Sequence, residues 1–297
     1  MEVAVQNMPA AEIDVTVDLV HALIVEQHPD LADLALSPVA NGWDNAIFRL
    51  GSTLAVRVPR RQAGADLVEH EHRWLPDLVE RLPIPIAAPV RMGRPSTVYP
   101  WSWSICPWFD GAVASDVALA DPVGDARRLG AFVASLHQPA PPEAPDNPYR
   151  GQPVVDLRPR VRANVELLGS QIEGPQVLER FEHLASADEW SGAPVWLHGD
   201  LHAANVVVLD GAISAVLDFG DLTSGDPAVD LAIGWMLFDD AARSVFRTAA
   251  GDIDDATWSR AEAWALHFAL LYVLNSADNE RFARMGRSLL AALDVGA

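Results

Sequence analysis

The chain has 297 residues, half of them hydrophobic, enough to bury a sizeable core in one large domain or two modest ones. Its 41 acidic residues outnumber 21 basic ones, and the formal charge of −20 argues against sequence-independent nucleic-acid binding, which needs a basic footprint. Cys106 is the single cysteine, which excludes an intrachain disulfide and a cysteine zinc cluster.

The first residues, MEVAVQNMPAAEIDV, have neither the basic nor the apolar region of a secretory signal, and no apolar run approaches the roughly 18 residues of a membrane span. A cytoplasmic protein is therefore expected. Asp14 to His28 predicts a short amphipathic helix capped by Asp14 or Thr16, with Val17, Val20, Leu23 and Ile24 at helical spacing. Strand patterns follow at Leu36 to Ala40, Ala46 to Leu50 and Thr53 to Val58, a small antiparallel sheet. Between the first two strands, Asn41-Gly42-Trp43-Asp44-Asn45 has the backbone freedom, at Gly42, to approach phosphates. It lacks the GxGxxG spacing, so by itself a plain hairpin connection is the simpler reading.

Arg57 interrupts the apolar third strand, LAVRVPRR. In a kinase-like site the corresponding strand carries a lysine that contacts phosphates and pairs with a glutamate on the next helix. This chain has no lysine at all, so Arg57 is the candidate for that task. The following helix, predicted over Ala65 to Arg81, offers Glu69 and Glu71, which lie about 200° apart on a helix, so that one of them faces inward. Glu71 is taken as the partner. Leu82 to Pro89, LPIPIAAP, holds three prolines and is read as an extended connector.

Strand signals resume at Val90 to Gly93 and Tyr99 to Trp108, and the turn-like Phe109-Asp110-Gly111 then gives way to alanine-rich helical patterning. This is the expected hinge between a nucleotide-binding lobe (1–108) and a helical lobe (109–297) carrying the catalytic loop and acceptor site. A purine in such a cleft needs one backbone acceptor and one donor. Pro107 has only a carbonyl to offer, while Phe109 can offer its N–H. Helices are predicted at Asp125 to His137, Asp156 to Leu168 and Pro175 to Ala187, with a Pro-rich loop from Gln138 to Pro153. Asp226-Pro227 caps a helix through Phe238, and helices at Asp255 to Asp278 and Arg281 to Leu293 close the chain.

The chemistry concentrates in VWLHGDLHAANVVVLDGAISAVLDFGD, residues 195–221. Strand-like runs at Val206 to Leu209 and Ile213 to Leu217 flank Asp210-Gly211, a strong hairpin signal. Closing that hairpin returns Asn205 to the side of Asp218, with Asp200 just before it at the same mouth. ATP-dependent phosphoryl transfer needs this convergence: an Asp orients the acceptor hydroxyl and takes its proton, and an Asn and a second Asp hold Mg²⁺. His198, Asp200 and His202 also form H-x-D-x-H, which would suggest a zinc site only if the segment were extended. Asp221 reads as a solvated turn carboxylate, Asp226 as an N-cap, and Asp230 as an acceptor for backbone N–H groups of the catalytic loop.

NGWDNAIFRLG, LAVRVPRR, VEHEHRWL, PWFDG, HGDLHAAN, LDFGD and DPAVDLA together resemble the aminoglycoside phosphotransferase family, which includes macrolide phosphotransferases and belongs to the protein-kinase-like superfamily. The resemblance runs from about residue 40 to 235 and is most specific in HGDLHAAN and LDFGD. It implies an α+β bilobal kinase-like fold, with a small antiparallel sheet and one main helix in the N-terminal lobe and a larger, mostly helical C-terminal lobe. It further implies ATP or GTP bound at the hinge with Mg²⁺, Asp200 as base, Asn205 and Asp218 as metal ligands, and Arg57 with Glu71 as the phosphate-binding ion pair. Two departures stand out: Arg57 replaces lysine, and a glycine-rich phosphate loop is missing. The reaction so implied is γ-phosphoryl transfer to a hydroxyl of an aminoglycoside- or macrolide-like acceptor, the chemistry of antibiotic resistance, and the acidic charge tilts towards a cationic acceptor. A metabolite such as choline, homoserine or a sugar is the alternative acceptor, and a catalytically silent kinase-like binding protein is the rival outside enzymes.

Overall fold

In the computed structural model, residues 9–276 and 279–295 are described. Helix α1 (Val17–Gln27) begins at Thr16, whose hydroxyl accepts the Leu19 N–H at 3.2 Å, so Thr16 and not Asp14 is its cap. Strands β1 (Leu36–Asn41), β2 (Asn45–Leu50) and β3 (Leu54–Pro59) lead into α2 (Gln62–Val79). With β4 (Arg91–Gly93) and β5 (Trp103–Pro107) they complete a five-stranded sheet in the order β1-β2-β3-β5-β4, antiparallel throughout. Strand β2 alternates, burying Ala46, Phe48 and Leu50, whereas β3 is covered on both faces and buried from Ala55 onwards, Arg57 included. Their apolar side chains meet Val20, Leu23 and Ile24 of α1 in a small core closed by Trp103 and Ile105.

The extended connector runs next to the second half of the molecule. Val216 donates its N–H to the Pro85 carbonyl at 2.9 Å, and Ile84 and Ile86 belong to the larger core. That core lies among α3 (Pro122–Leu136), α4 (Arg158–Leu168), α5 (Gly174–Leu184) and α9 (Asp255–Leu274), and takes in residues of a three-stranded sheet, β6-β8-β9, and a two-stranded one, β10-β7. The strands are β6 (Ala112–Val113), β7 (Val195–Leu197), β8 (Val206–Leu209), β9 (Ala212–Val216) and β10 (Thr223–Gly225). This kinase-like arrangement, a five-stranded sheet with its helix before a helical second part, is the one expected.

Three helical predictions need correction. The helix expected through Phe238 is two short ones, α6 (Ala228–Leu231) and α7 (Ile233–Leu237). Every residue from Ala228 to Trp235 is buried, so packing on all sides, and not an amphipathic face, sets the path of this segment. Helix α8 (Asp240–Ala249) was not foreseen, although Asp239 caps it by accepting the Ala242 N–H at 2.9 Å. Helix α9 (Asp255–Leu274) stops short of its predicted end at Asp278, and the last two predicted positions lie outside the described residues. Helix α10 (Glu280–Ala292) follows. The long apolar run of the sequence is α9 itself, a central helix burying Trp258, Trp264 and Phe268, and no described helix is long and apolar enough to cross a membrane.

Candidate active site

The β8–β9 turn has Asp210 and Gly211 both at positive φ, 51° and 80°, as a two-residue hairpin with right-handed strand twist requires. At its open end the Leu217 N–H donates to the Asn205 carbonyl at 2.8 Å, so Asn205 and Asp218 stand side by side. Asp218 takes a left-handed conformation, φ 61°, which Asp tolerates better than most residues. Phe219 then turns inward against the His198 ring, 4.4 Å between centroids.

The segment before the hairpin is held by side chains arriving from several elements. Asp230 of α6 is fully buried and accepts the N–H groups of His198 and Gly199 at 2.8 and 2.9 Å, with His137 Nε2 at 3.2 Å. Gly199 is at φ 83°, and a β-carbon there would lie 2.3 Å from the Asp221 carbonyl, so this position takes no side chain. His198 donates from Nε2 to the Leu217 carbonyl at 2.9 Å and accepts the Asp200 N–H on Nδ1 at 3.2 Å, bracing loop against hairpin. His202 accepts the Ala204 N–H on Nδ1 and turns Nε2 to Asp200 Oδ2 at 3.3 Å. The histidines of H-x-D-x-H therefore make structural hydrogen bonds and do not converge on one metal point. Among the described residues no group of three or more His, Cys, Asp or Glu is placed to hold a metal.

Arg57 and Glu71 form a buried bidentate pair, with Nη1 at 2.9 and 2.7 Å from the two carboxylate oxygens. Glu71 is the inward glutamate and Glu69 is exposed. The other nitrogen, Nη2, reaches Asp218 Oδ1 at 3.3 Å, linking the β3 strand to the hairpin mouth. Burial works against the guanidinium's charge, but Glu71 and Asp218 outweigh it and push Arg57 up, so it stays protonated.

Asn205 donates from Nδ2 to the Asp200 carbonyl at 3.0 Å, which leaves the amide oxygen, Oδ1, as the atom that could hold a cation. Asp218 supplies a carboxylate whose side chain is 59% exposed. Two oxygen donors suit Mg²⁺, which keeps waters and shares phosphate oxygens with few protein ligands. The residues thus fit the expected cation.

The remaining predicted positions are spread along the first 109 residues. The Trp108 N–H donates to the Thr53 carbonyl at 2.8 Å; its neighbour Pro107 ends β5 opposite Leu54, and Phe109 lies just beyond the strand. Gly42 closes a tight turn, its N–H on the Asn45 carbonyl at 2.8 Å and its carbonyl accepting from Arg60 at 3.0 Å. Asp44 in the same loop is held by Arg61 at 2.6 Å. Among the described residues no hydrogen bond or ion pair joins Gly42 to the Arg57–Glu71 pair.

Arg150 and Asn147, from the Pro-rich loop, were not foreseen at the site. Arg150 Nη2 lies 3.0 Å from Asp200 Oδ1 and 3.5 Å from Asp221 Oδ2, and Asn147 donates to Asp221 Oδ1 at 2.7 Å. Asp221 is thus a partnered carboxylate, contrary to the solvated turn expected of it. Burial pushes Asp221 up, against the pull of Arg150. Burial pushes Asp200 the same way, yet His202, Arg150 and His198 together hold it below the usual carboxylate range. The only foretaste of Arg150 in the sequence is negative: with no lysine in the chain, a permanently charged side chain beside Asp200 had to be an arginine.

The sequence profile of the phosphotransferase enzyme family, APH, matches residues 35–264. A search of curated proteins gives no significant match. Among solved structures, the GDP and kanamycin complex of APH(2″)-IIIa is 18% identical with a TM-score of 0.65, covering 91% of this chain and 97% of that one. The apoenzyme of macrolide 2′-phosphotransferase MphH from Brachybacterium faecium is 25% identical with a TM-score of 0.60, over 92% and 97%. The streptomycin–ATP–APH(2″)-IIa ternary complex is 16% identical with a TM-score of 0.56, over 92% and 97%. The profile spans well over half of the sequence, and the chain belongs to the phosphotransferase enzyme family.

Proposed function

We propose that this family member is a small-molecule kinase that moves the γ-phosphoryl group of ATP or GTP to a hydroxyl of an antibiotic-like acceptor, of the aminoglycoside or macrolide kind. The observation that carries the reading is the meeting of Arg57, Asp218, Asn205 and Asp200, in which Arg57 reaches Asp218 across 161 positions of sequence. Residues 1–108 form the nucleotide lobe in this reading, with Pro107 and Phe109 at the base edge, Gly42 in the loop over the phosphates, and Arg57, fixed by Glu71, as their cationic contact. Residues 109–297 supply the catalytic loop and the acceptor site. Asn205 and Asp218 would hold Mg²⁺, which when bound neutralises phosphate charge. Asp200 accepts the acceptor's proton late in the transfer, since a carboxylate held below its ordinary pKa is a weak base that acts mainly by orienting the hydroxyl.

A metabolite acceptor such as a sugar is the second reading, favoured by the Arg150 contacts to both Asp200 and Asp221 at the acceptor side. A catalytically silent protein would have no use for the Asp200, Asn205 and Asp218 set. Nucleotide consumption measured with Mg²⁺ over a panel of aminoglycosides, macrolides and small alcohols tests the proposal. At least one acceptor should stimulate turnover, and Asp200→Asn should lower it by about 10²–10⁴-fold with nucleotide affinity retained. No stimulation by any acceptor, together with basal hydrolysis unchanged in Asp200→Asn, would overturn it.

A further inference from the structure

The three residues that follow Trp108 have no backbone bond of their own. Trp108 is tied to β3 by its N–H on the Thr53 carbonyl, and Ala112 opens β6 opposite Val208, but among the described residues no backbone–backbone hydrogen bond reaches Phe109, Asp110 or Gly111. Such a stretch has peptide groups to offer a ligand, and it needs some other restraint to keep them in place. Side chains supply it. Asp110 Oδ1 accepts from two donors, Arg49 Nη2 at 3.1 Å and Trp108 Nε1 at 2.9 Å. The same Nη2 donates to the Ser52 carbonyl in the β2–β3 turn at 2.9 Å, and the Arg49 guanidinium lies over the Trp108 indole, 4.6 Å from its ring centroid. Arg49, Trp108 and Asp110 thus form a closed set in which each touches the other two. Among the described residues no hydrogen bond or ion pair joins this set to Arg57, Glu71, Asp200, Asn205 or Asp218.

Trp108 stands between Pro107 and Phe109, the two residues assigned above to the base edge of the nucleotide. We infer that Arg49 and Asp110 are positioning residues for the nucleotide: acting through the Trp108 indole, they fix the backbone from Pro107 to Gly111, so that the Pro107 carbonyl and the Phe109 N–H keep the spacing a purine needs. The inference rests on the kinase reading and deepens it. Each contact is weak by itself, because the Arg49 and Asp110 side chains are 33% and 66% exposed and water screens such a pair. The three share atoms, however, and losing either Arg49 or Asp110 removes two of the three contacts together. The cost then falls on binding. A base edge left loose must be ordered when the purine arrives, which weakens affinity and leaves the transfer step alone.

The test uses the full chain and two independent variants, Arg49→Met and Asp110→Ala, each checked for folding by circular dichroism. For whichever of Mg²⁺–ATP and Mg²⁺–GTP the unaltered protein binds, the calorimetric Kd should rise about fivefold in both variants, the scale of an exposed ion pair plus a cation–π contact. Nucleotide consumption at saturating nucleotide should stay within about twofold. In the ligand-free chain the Trp108 amide should exchange faster by a similar factor, while the Cys106 amide, inside the same ladder, keeps its rate. Unchanged nucleotide affinity would overturn the inference, as would a fall in the saturated rate with affinity kept, or a Trp108 amide that exchanges as before. No binding of either nucleotide to the unaltered protein would sink the kinase reading itself, and this inference with it.

Discussion

The Arg57–Glu71 pair shows what a single substitution does at this site. Both side chains are buried, so removing the Glu71 charge leaves the Arg57 guanidinium with only its longer, 3.3 Å contact to the more exposed Asp218. Glu71→Gln should therefore lower unfolding stability by about 3–5 kcal/mol in a urea titration, whereas Glu69→Gln, at an exposed position on the same helix, should stay within about 0.5 kcal/mol. Equal losses would remove Glu71 from its assigned role. His267 has a different kind of stake. Burial, with Arg150 and Arg160 nearby, pushes its imidazole from 6.5 down to about 3, and its Nδ1 has no partner among the described residues. Between those values the unfolded chain binds a proton that the folded chain refuses, so this contribution is intact above pH 6.5 and shrinks as pH falls towards 3. The decline should approach 1.4 kcal/mol per pH unit, roughly, and His267→Leu should flatten it in denaturant titrations at pH 7, 5 and 4.

Among elements, the loop that carries His198, Gly199 and Asp200 depends on the short helix α6 more than on its own residues. Asp230 takes two backbone N–H groups of the loop, and Asp230→Ala would leave both buried donors without an acceptor. At about 1–3 kcal/mol for each such group, the variant should lose roughly 2–6 kcal/mol of stability and the amide exchange protection of His198 and Gly199. Retained protection would mean that the loop holds itself. Gly199→Ala should be damaging by a different route, since it meets the Asp221 carbonyl and a positive φ together. The Asp230 clasp was legible in the sequence, as an acidic residue in the first turn of a helix that starts at Asp226-Pro227. Helix α8 is also encoded locally, in the Asp239 cap and the inward Ala242 and Phe246. The break between α6 and α7 was not legible, because a uniformly apolar segment has no period from which its path can be read.

For the molecule as a whole, the Arg57–Asp218 contact joins the sheet-bearing first half to the hairpin of the second, and any nucleotide bound between them should steady both. With Mg²⁺ and nucleotide at about 100 times Kd the gain is about 2.7 kcal/mol, a rise in thermal midpoint on the order of 5 °C. With a chelator present the rise should largely vanish, and a full rise without Mg²⁺ would count against Asn205 and Asp218 as its ligands. What the sequence determined by itself was local: the Asp-Gly turn, the five-residue step from Asp200 to Asn205, the placement of Asp218 at the hairpin's end, and the alternation that buries β2. Such features are encoded in spacings of a few residues, where backbone geometry leaves few alternatives. What only the tertiary structure decided were encounters between distant segments. Arg150 reaches Asp200 across 50 positions, and Asn147 reaches Asp221 across 74. Those meetings depend on how a Pro-rich loop is laid over β7 and β10, with Thr223 donating to the Pro145 carbonyl and Trp196 to the Gln138 carbonyl. No periodicity encodes that path, because it is set by packing and by backbone groups that must find partners wherever the loop is buried.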